Sequence, residues 1–112
     1  MFYNSYYYLH SYATINVNNS IVMAPMTTFS ANPDGTVYVA ELSYYKARSK
    51  GVGIVITAAT NVQESGKGFP GQFAAYNNSF LPSLKKLSQT IKGEGALAIL
   101  QIFHGGRMAF HL

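Results

Sequence analysis

Ile54-Val55-Ile56-Thr57-Ala58-Ala59-Thr60, IVITAAT, is a short β-branched run whose apolar side chains fall on successive positions rather than alternate ones. A strand patterned in this way is buried on both faces, as in a parallel sheet covered by helices. Its flanks agree. Gly51 and Gly53 precede it and close a helix expected over about Val39 to Ser49, with Leu42 and Tyr45 turned inward and Glu41, Lys46 and Arg48 outward. That helix begins weakly, because Tyr38 and Val39 offer no side-chain oxygen to its first backbone N–H groups.

Further towards the amino terminus, TINV and SIVMA are separated by Asn18-Asn19, a dipeptide suited to a tight turn. The pattern predicts a hairpin leading into a first buried strand, Ile21 to Ala24, ended by Pro25. Asn32-Pro33-Asp34-Gly35 then marks a turn. Beyond IVITAAT, residues 60–77 form a glycine-bearing loop longer than a simple connection needs, a length that usually goes with function or mobility. A second helix follows, with Asn78 or Ser79 at its entrance, Pro82 in its first turn, and Leu81, Leu84, Leu87 and Ile91 at helical spacing. Gly93 and Gly95 end it, and ALAILQIF, residues 96–103, supplies a third buried strand. Strand, helix, strand, helix, strand defines an α/β chain whose functional loops gather at the carboxyl ends of the strands.

Composition narrows the function classes. With 48% hydrophobic and only 11% charged residues in 112, the chain buries itself rather than staying disordered. The net charge of +4 resides mainly on Lys46, Arg48, Lys50, Lys85, Lys86 and Lys92, on the solvent faces and ends of the two helices, without a basic stripe interleaved with stacking aromatics. No nucleic-acid partner is expected. The absence of cysteine removes disulfides and thiolate chemistry and suits a cytoplasmic protein. No apolar run approaches the roughly 20 residues of a membrane span, and MFYNSYYYLHSYA lacks the basic leader and aliphatic core of a secretory signal. Residues 1–14 are expected to be an irregular tyrosine-rich lead-in, and no metal site is expected.

Three strand ends are the place to look for chemistry: Ala24-Pro25-Met26-Thr27-Thr28-Phe29, then Thr57-Ala58-Ala59-Thr60, then Gln101 with His104 and Arg107 beyond it. Ile99, Gln101 and Phe103 share one face of the third strand. Gln101 is therefore either a satisfied core amide or a contact to a polar ligand, since a buried amide without partners costs about 1–3 kcal/mol. His104 in its glycine turn reads equally as a structural group held by the backbone, and Arg107 as a brace for a neighbouring loop.

The segments IVMAPMTTFS, DGT, YYKARSKGVGIVITAAT, GKGFPGQFAAY and LQIFHGGRM occur in this order and resemble the amino-terminal part of the old yellow enzyme family. Its members are FMN-dependent NAD(P)H:flavin oxidoreductases and ene reductases. The resemblance runs from about Asn19 to Met108 and implies a TIM (β/α)8 barrel holding FMN at its carboxyl face, with NADH or NADPH as hydride donor and an activated alkene or similar small molecule as acceptor. By resemblance, Ala24, Pro25 and Met26 pack against the flavin ring and Thr27 reaches the flavin carbonyl near the reactive nitrogen. Ala59 makes a backbone contact, and Gln101 pairs with the pyrimidine edge. An amide carrying one acceptor and two donors suits an edge that offers an N–H beside carbonyl oxygens. Phe29 stands where some relatives carry a substrate-contacting tyrosine.

The same resemblance places the substrate-holding donors, the general acid tyrosine and the FMN phosphate loops beyond Met108, so no catalytic residue is assigned within the chain. Residues 15–112 are expected to be the amino-terminal part of a barrel: a hairpin, the first three parallel strands and two helices. On that expectation the chain alone binds FMN weakly, and its open sheet edges invite self-association or a complementary chain. An inactive truncated fragment is the alternative to a working oxidoreductase.

Overall fold

The computed structural model describes residues 10–12 and 15–109. Its centre is a parallel sheet of β3 (Val22–Met23), β4 (Ile54–Ile56) and β7 (Leu97–Ile99), in that spatial order. Val22 pairs with Ile54 and Met23 with Val55; on the other edge Ile54, Val55 and Ile56 pair with Leu97, Ala98 and Ile99. Two helices, α1 (Val39–Ser49) and α2 (Leu81–Gly93), connect these strands and pack against one another, as the βαβαβ pattern requires. Val55, at 0% exposure, lies with Val37, Tyr45, Ala58, Phe73, Leu87, Ile91 and Ala96 in the core between sheet and helices. The other face of β4 is less enclosed than its sequence implies, with Ile54 and Ile56 only half-buried.

The expected strands are shorter than their apolar runs. IVITAAT divides into β4 and β5 (Thr60–Asn61), and ALAILQIF into β7 and β8 (Ile102–Phe103). The long loop contains β6 (Phe73–Ala74), which pairs in parallel with β5, while β5 pairs in parallel with β8. A second small sheet, β6–β5–β8, thus extends from the carboxyl ends of the first.

The amino-terminal hairpin differs from its sequence pattern. β1 (His10–Tyr12) pairs antiparallel with β2 (Ile15–Val17), so pairing begins inside the stretch expected to be irregular, and Asn18-Asn19 is not the hairpin turn. Both asparagines have another use. Asn18 Nδ2 donates to the Gly95 carbonyl at 2.8 Å, Asn19 Nδ2 donates to the Gly51 carbonyl at 3.2 Å, and Asn19 Oδ1 accepts from the Ile21 N–H at 3.0 Å. Side chains able to mimic a backbone turn also serve as clamps on the glycine turns that end the helices.

α1 spans the expected residues, and its N-cap, Tyr38, makes no side-chain bond. One face was misread: Glu41, expected to face solvent, is buried with Tyr45 and Ser49 at i, i+4 and i+8. α2 enters through a 3₁₀ turn, Asn78–Phe80, capped by Asn77, whose Oδ1 accepts from the Ser79 N–H at 2.8 Å. The cap is one residue earlier than the pattern indicates. Leu87 and Ile91 are buried, whereas Leu81 at the helix entrance is exposed.

Gly53 explains how the sheet begins. Its N–H donates to the Ile21 carbonyl at 3.0 Å, its carbonyl accepts from the Leu97 N–H at 2.9 Å, and a Cβ added to it would strike the Asn19 carbonyl oxygen. Gly53→Ala is expected to cost about 1–3 kcal/mol, because the obstructing atom is backbone held in place on both sides. Gly93→Ala, with open space around the added methyl, is expected to leave stability unchanged or raise it by up to about 1 kcal/mol. Urea unfolding of the two variants checks the contrast.

Candidate functional site

Parallel register brings the carboxyl ends of β3, β4 and β7 to one end of the sheet, and the residues singled out in the sequence gather there. Ala24, Met26 and Thr27 are exposed and Pro25 is half-buried, on a segment without regular secondary structure. Ala59 is buried, Gln101 is half-buried, and Phe29 is 63% exposed.

The second and third strand ends are joined by a bulge. Ile56 pairs with Ile99 and Thr60 with Ile102, so residues 57–59 lie opposite residues 100–101 and β4–β5 carries one surplus residue. The Thr57 N–H donates to the Ile99 carbonyl and the Thr60 N–H to the Gln101 carbonyl, both at 2.9 Å. Between them the Ala58 N–H leaves the ladder and donates to the Tyr45 hydroxyl at 2.7 Å. The Ala59 N–H has no partner among the described residues. On the opposite strand the Gln101 N–H donates to Thr57 Oγ1 at 3.4 Å, and the Gln101 side-chain amide has no partner among the described residues. Bulges of this kind interrupt pairing and re-aim groups next to functional sites. At this interruption a backbone donor, Ala59, and a side-chain amide, Gln101, both lack partners among the described residues.

Those features fit the pyrimidine edge of a flavin. An amide able to accept one and donate two hydrogen bonds, with a backbone N–H close by in the ladder, suits a ring edge of alternating carbonyl oxygens and N–H. Pro25 and Met26 add apolar surface on the neighbouring strand end.

An aromatic wall borders the site. Phe29 lies 4.9 Å, centroid to centroid, from Phe69, which lies 6.4 Å from Phe103. Phe29 is the only described non-glycine residue with positive φ, 54°, and a Cβ at Gly71 would collide with its carbonyl. Phe69 was not singled out in the sequence, and its only signal there was its place between glycines in GKGFPGQ. His104 is held as a structural group: the Gly106 N–H donates to Nδ1 at 2.9 Å, which leaves Nε2–H to donate to Gln63 Oε1 at 3.1 Å. Arg107 is exposed.

Tyr45 is the residue whose role the sequence concealed. Burial pushes its phenol up to about 12, with Glu41 and Tyr44 adding to the rise and the Ala58 N–H opposing it. Among the described residues, no helix is long and apolar enough to cross a membrane.

Comparison with known proteins places the chain in a family. A family model described as the NADH:flavin oxidoreductase / NADH oxidase family matches residues 12–111. The chain is similar to a probable NADH-dependent flavin oxidoreductase of Bacillus subtilis, 52% identical over 92 residues that cover 82% of this chain and 25% of the relative. It is similar also to an NADH:acrylate oxidoreductase of Vibrio harveyi, 45% identical over 95 residues, covering 85% of this chain and 10% of that protein. Among solved structures, the old yellow enzyme from Trypanosoma cruzi superposes with a TM-score of 0.83 at 30% identity, over 95% of this chain and 28% of its own. The chain thus spans a quarter or less of the curated relatives described here, and its fold is that of part of a TIM barrel.

Tyr45→Phe removes the acceptor of a buried N–H at the bulge and is expected to cost about 1–3 kcal/mol in urea unfolding. The pH dependence has a definite sign. The folded phenol titrates above its ordinary value of 10, so its contribution is intact below that value and is lost as the pH rises towards 12. Thermal melts between pH 9 and 12 should show this component in the parent chain and not in Tyr45→Phe.

Proposed function

Because the chain belongs to the NADH:flavin oxidoreductase / NADH oxidase family, we propose that it forms the front of the FMN site of an oxidoreductase of the old yellow enzyme type. When bound, FMN would supply the hydride chemistry between NADH or NADPH and an acceptor. The observation that carries the reading is the bulge opposite Gln101, where the Ala59 N–H and the Gln101 amide have no partners among the described residues at the end of a parallel sheet.

Each residue of this chain has a positioning task. Gln101 pairs with the pyrimidine edge, and Ala59 adds a backbone donor. Ala24, Pro25 and Met26 cover the ring with apolar and backbone surface. Thr27 offers its exposed hydroxyl to the carbonyl beside the reactive nitrogen, where a donor favours negative charge on the reduced ring. Phe29, backed by Phe69, forms an apolar wall for the acceptor and has no proton to give. An activated alkene is the acceptor class we favour, supported by the name of the Vibrio harveyi relative. The proposal takes residues 15–112 as the amino-terminal part of the barrel and places the protein in the cytoplasm.

An apolar groove of about 970 Å³ runs between α2 and the β7 edge, lined by Leu81, Leu84, Leu87, Ile91, Ala98 and Leu100. We propose that the remaining barrel elements, on the same polypeptide or on a complementary chain, cover it.

Titration of the chain with FMN, followed by the visible flavin band, tests the site. Gln101→Leu is expected to raise Kd by about five- to hundredfold, the equivalent of an unmet amide or edge hydrogen bond. Bleaching of the bound band by NADH or NADPH without oxygen supports hydride transfer. A chain that perturbs no flavin spectrum is the inactive fragment instead, and unchanged affinity in Gln101→Leu removes that residue from the site.

A further inference from the structure

Glu41 is the only charged residue among the described side chains that is buried, at 2% exposure. Its Oε1 accepts from the Thr28 hydroxyl at 2.5 Å, and its Oε2 is enclosed with no partner among the described residues. Enclosing a carboxylate with one hydrogen bond and no cation is costly, and an apolar residue of similar size would pack the same space at less expense. A local rule broken in this way points to a task other than packing.

The task is visible in what Thr28 belongs to. The segment from Ala24 to Ser30 has no regular secondary structure and carries the first strand end of the proposed site. Thr28 is half-buried and bonded to α1, and Thr27 is exposed. Immediately beyond, the backbone turns left-handed at Phe29, Ser30 Oγ donates to the Thr28 carbonyl at 2.9 Å, and the Ala31 N–H donates to the Gly71 carbonyl at 3.1 Å. The segment is therefore fastened at two points, to α1 through Glu41 and to the long loop through Gly71.

We propose that Glu41 is a positioning residue: by holding the Thr28 hydroxyl it fixes the Thr27–Phe29 segment so that Thr27 is presented to the flavin. The inference rests on the flavin reading above for the ligand, but the clamp itself is a property of this chain. Glu41 touches neither cofactor nor substrate and acts through Thr28.

Three variants test it: Glu41→Leu, which removes the acceptor; Thr28→Val, which removes the donor; and Glu41→Gln, which keeps an oxygen for the Thr28 hydroxyl. In the flavin-free chain, hydrogen exchange at the Ala31 amide is expected to quicken by about tenfold or more in Glu41→Leu and Thr28→Val, on the scale of one hydrogen bond to a charged group. It should stay near the parent rate in Glu41→Gln, with Val55 and Ile56 unchanged throughout. The thermal midpoint of Glu41→Leu is expected to hold or rise, since replacing a buried charge by an apolar side chain is often stabilising. Loosening without loss of stability is what a purely structural role would not produce. FMN Kd should rise about tenfold or more in the first two variants and recover in Glu41→Gln. The proposal is overturned if Glu41→Leu exchanges at Ala31 as the parent does, or if Ala31 and Val55 quicken together. A parent chain that binds no FMN defeats the flavin reading, and the exchange rates then decide the clamp by themselves.

Discussion

β4 is hydrogen-bonded along both of its edges, to β3 and to β7, and that double pairing is the constraint from which the rest of the molecule follows. Because side chains alternate along a strand, a slip of one residue would move Val55 out of the helix-covered core. The register is therefore held by burial as well as by the ladder. Parallel pairing at a fixed register also places Met23, Ile56 and Ile99 at a common end, so the segments that follow them emerge side by side. The proposed site is a by-product of a sheet that has to close its core.

α1 then acts on that end from behind. Its buried face carries three polar residues, Glu41, Tyr45 and Ser49, and two of them address loops at the mouth. Glu41 takes the hydroxyl of Thr28 after the first strand, and Tyr45 takes the N–H of Ala58 at the bulge after the second. Ser49 returns its hydroxyl to the Tyr45 carbonyl at 2.6 Å, satisfying itself within the helix. One helix face thus connects the packing of the core to the placement of two strand ends. The connection is made by hydrogen bonds with preferred geometry, which specify position more narrowly than apolar contact does.

Where periodicity was strong, the sequence was informative. The leucines of α2 and the β-branched IVITAAT led directly to a helix and a central parallel strand, and the motif order led to the barrel family. Local polarity misled in two places, and one feature was silent. Glu41 looked like a solvent residue because charge usually is one, and only the tertiary position of Thr28 reveals the reason it is not. Asn18-Asn19 had the chemistry of a turn, but the carbonyls it grips are 32 and 77 residues away along the chain. The bulge at residues 57–59 leaves no mark in composition, since a surplus residue is defined only against the partner strand. Gln101 was conspicuous for a better reason: an amide in an apolar run needs an explanation wherever it folds. The partner proposed for it, the edge of a flavin, lies outside the chain, and no pattern within the sequence could supply it.

The two asparagine clamps have a bearing on the order in which this chain assembles. A bond that spans 32 residues forms at the end of α1, and one that spans 77 forms at the end of α2. Contacts of such separation are rewarded only after the intervening chain has lost its freedom, so they form late and favour slow folding. The Asn18–Gly95 bond, with the longer separation, is thereby the later of the two. The junction after β2 serves as a seal, closed when both βα units are in place and the first to yield when either of them opens.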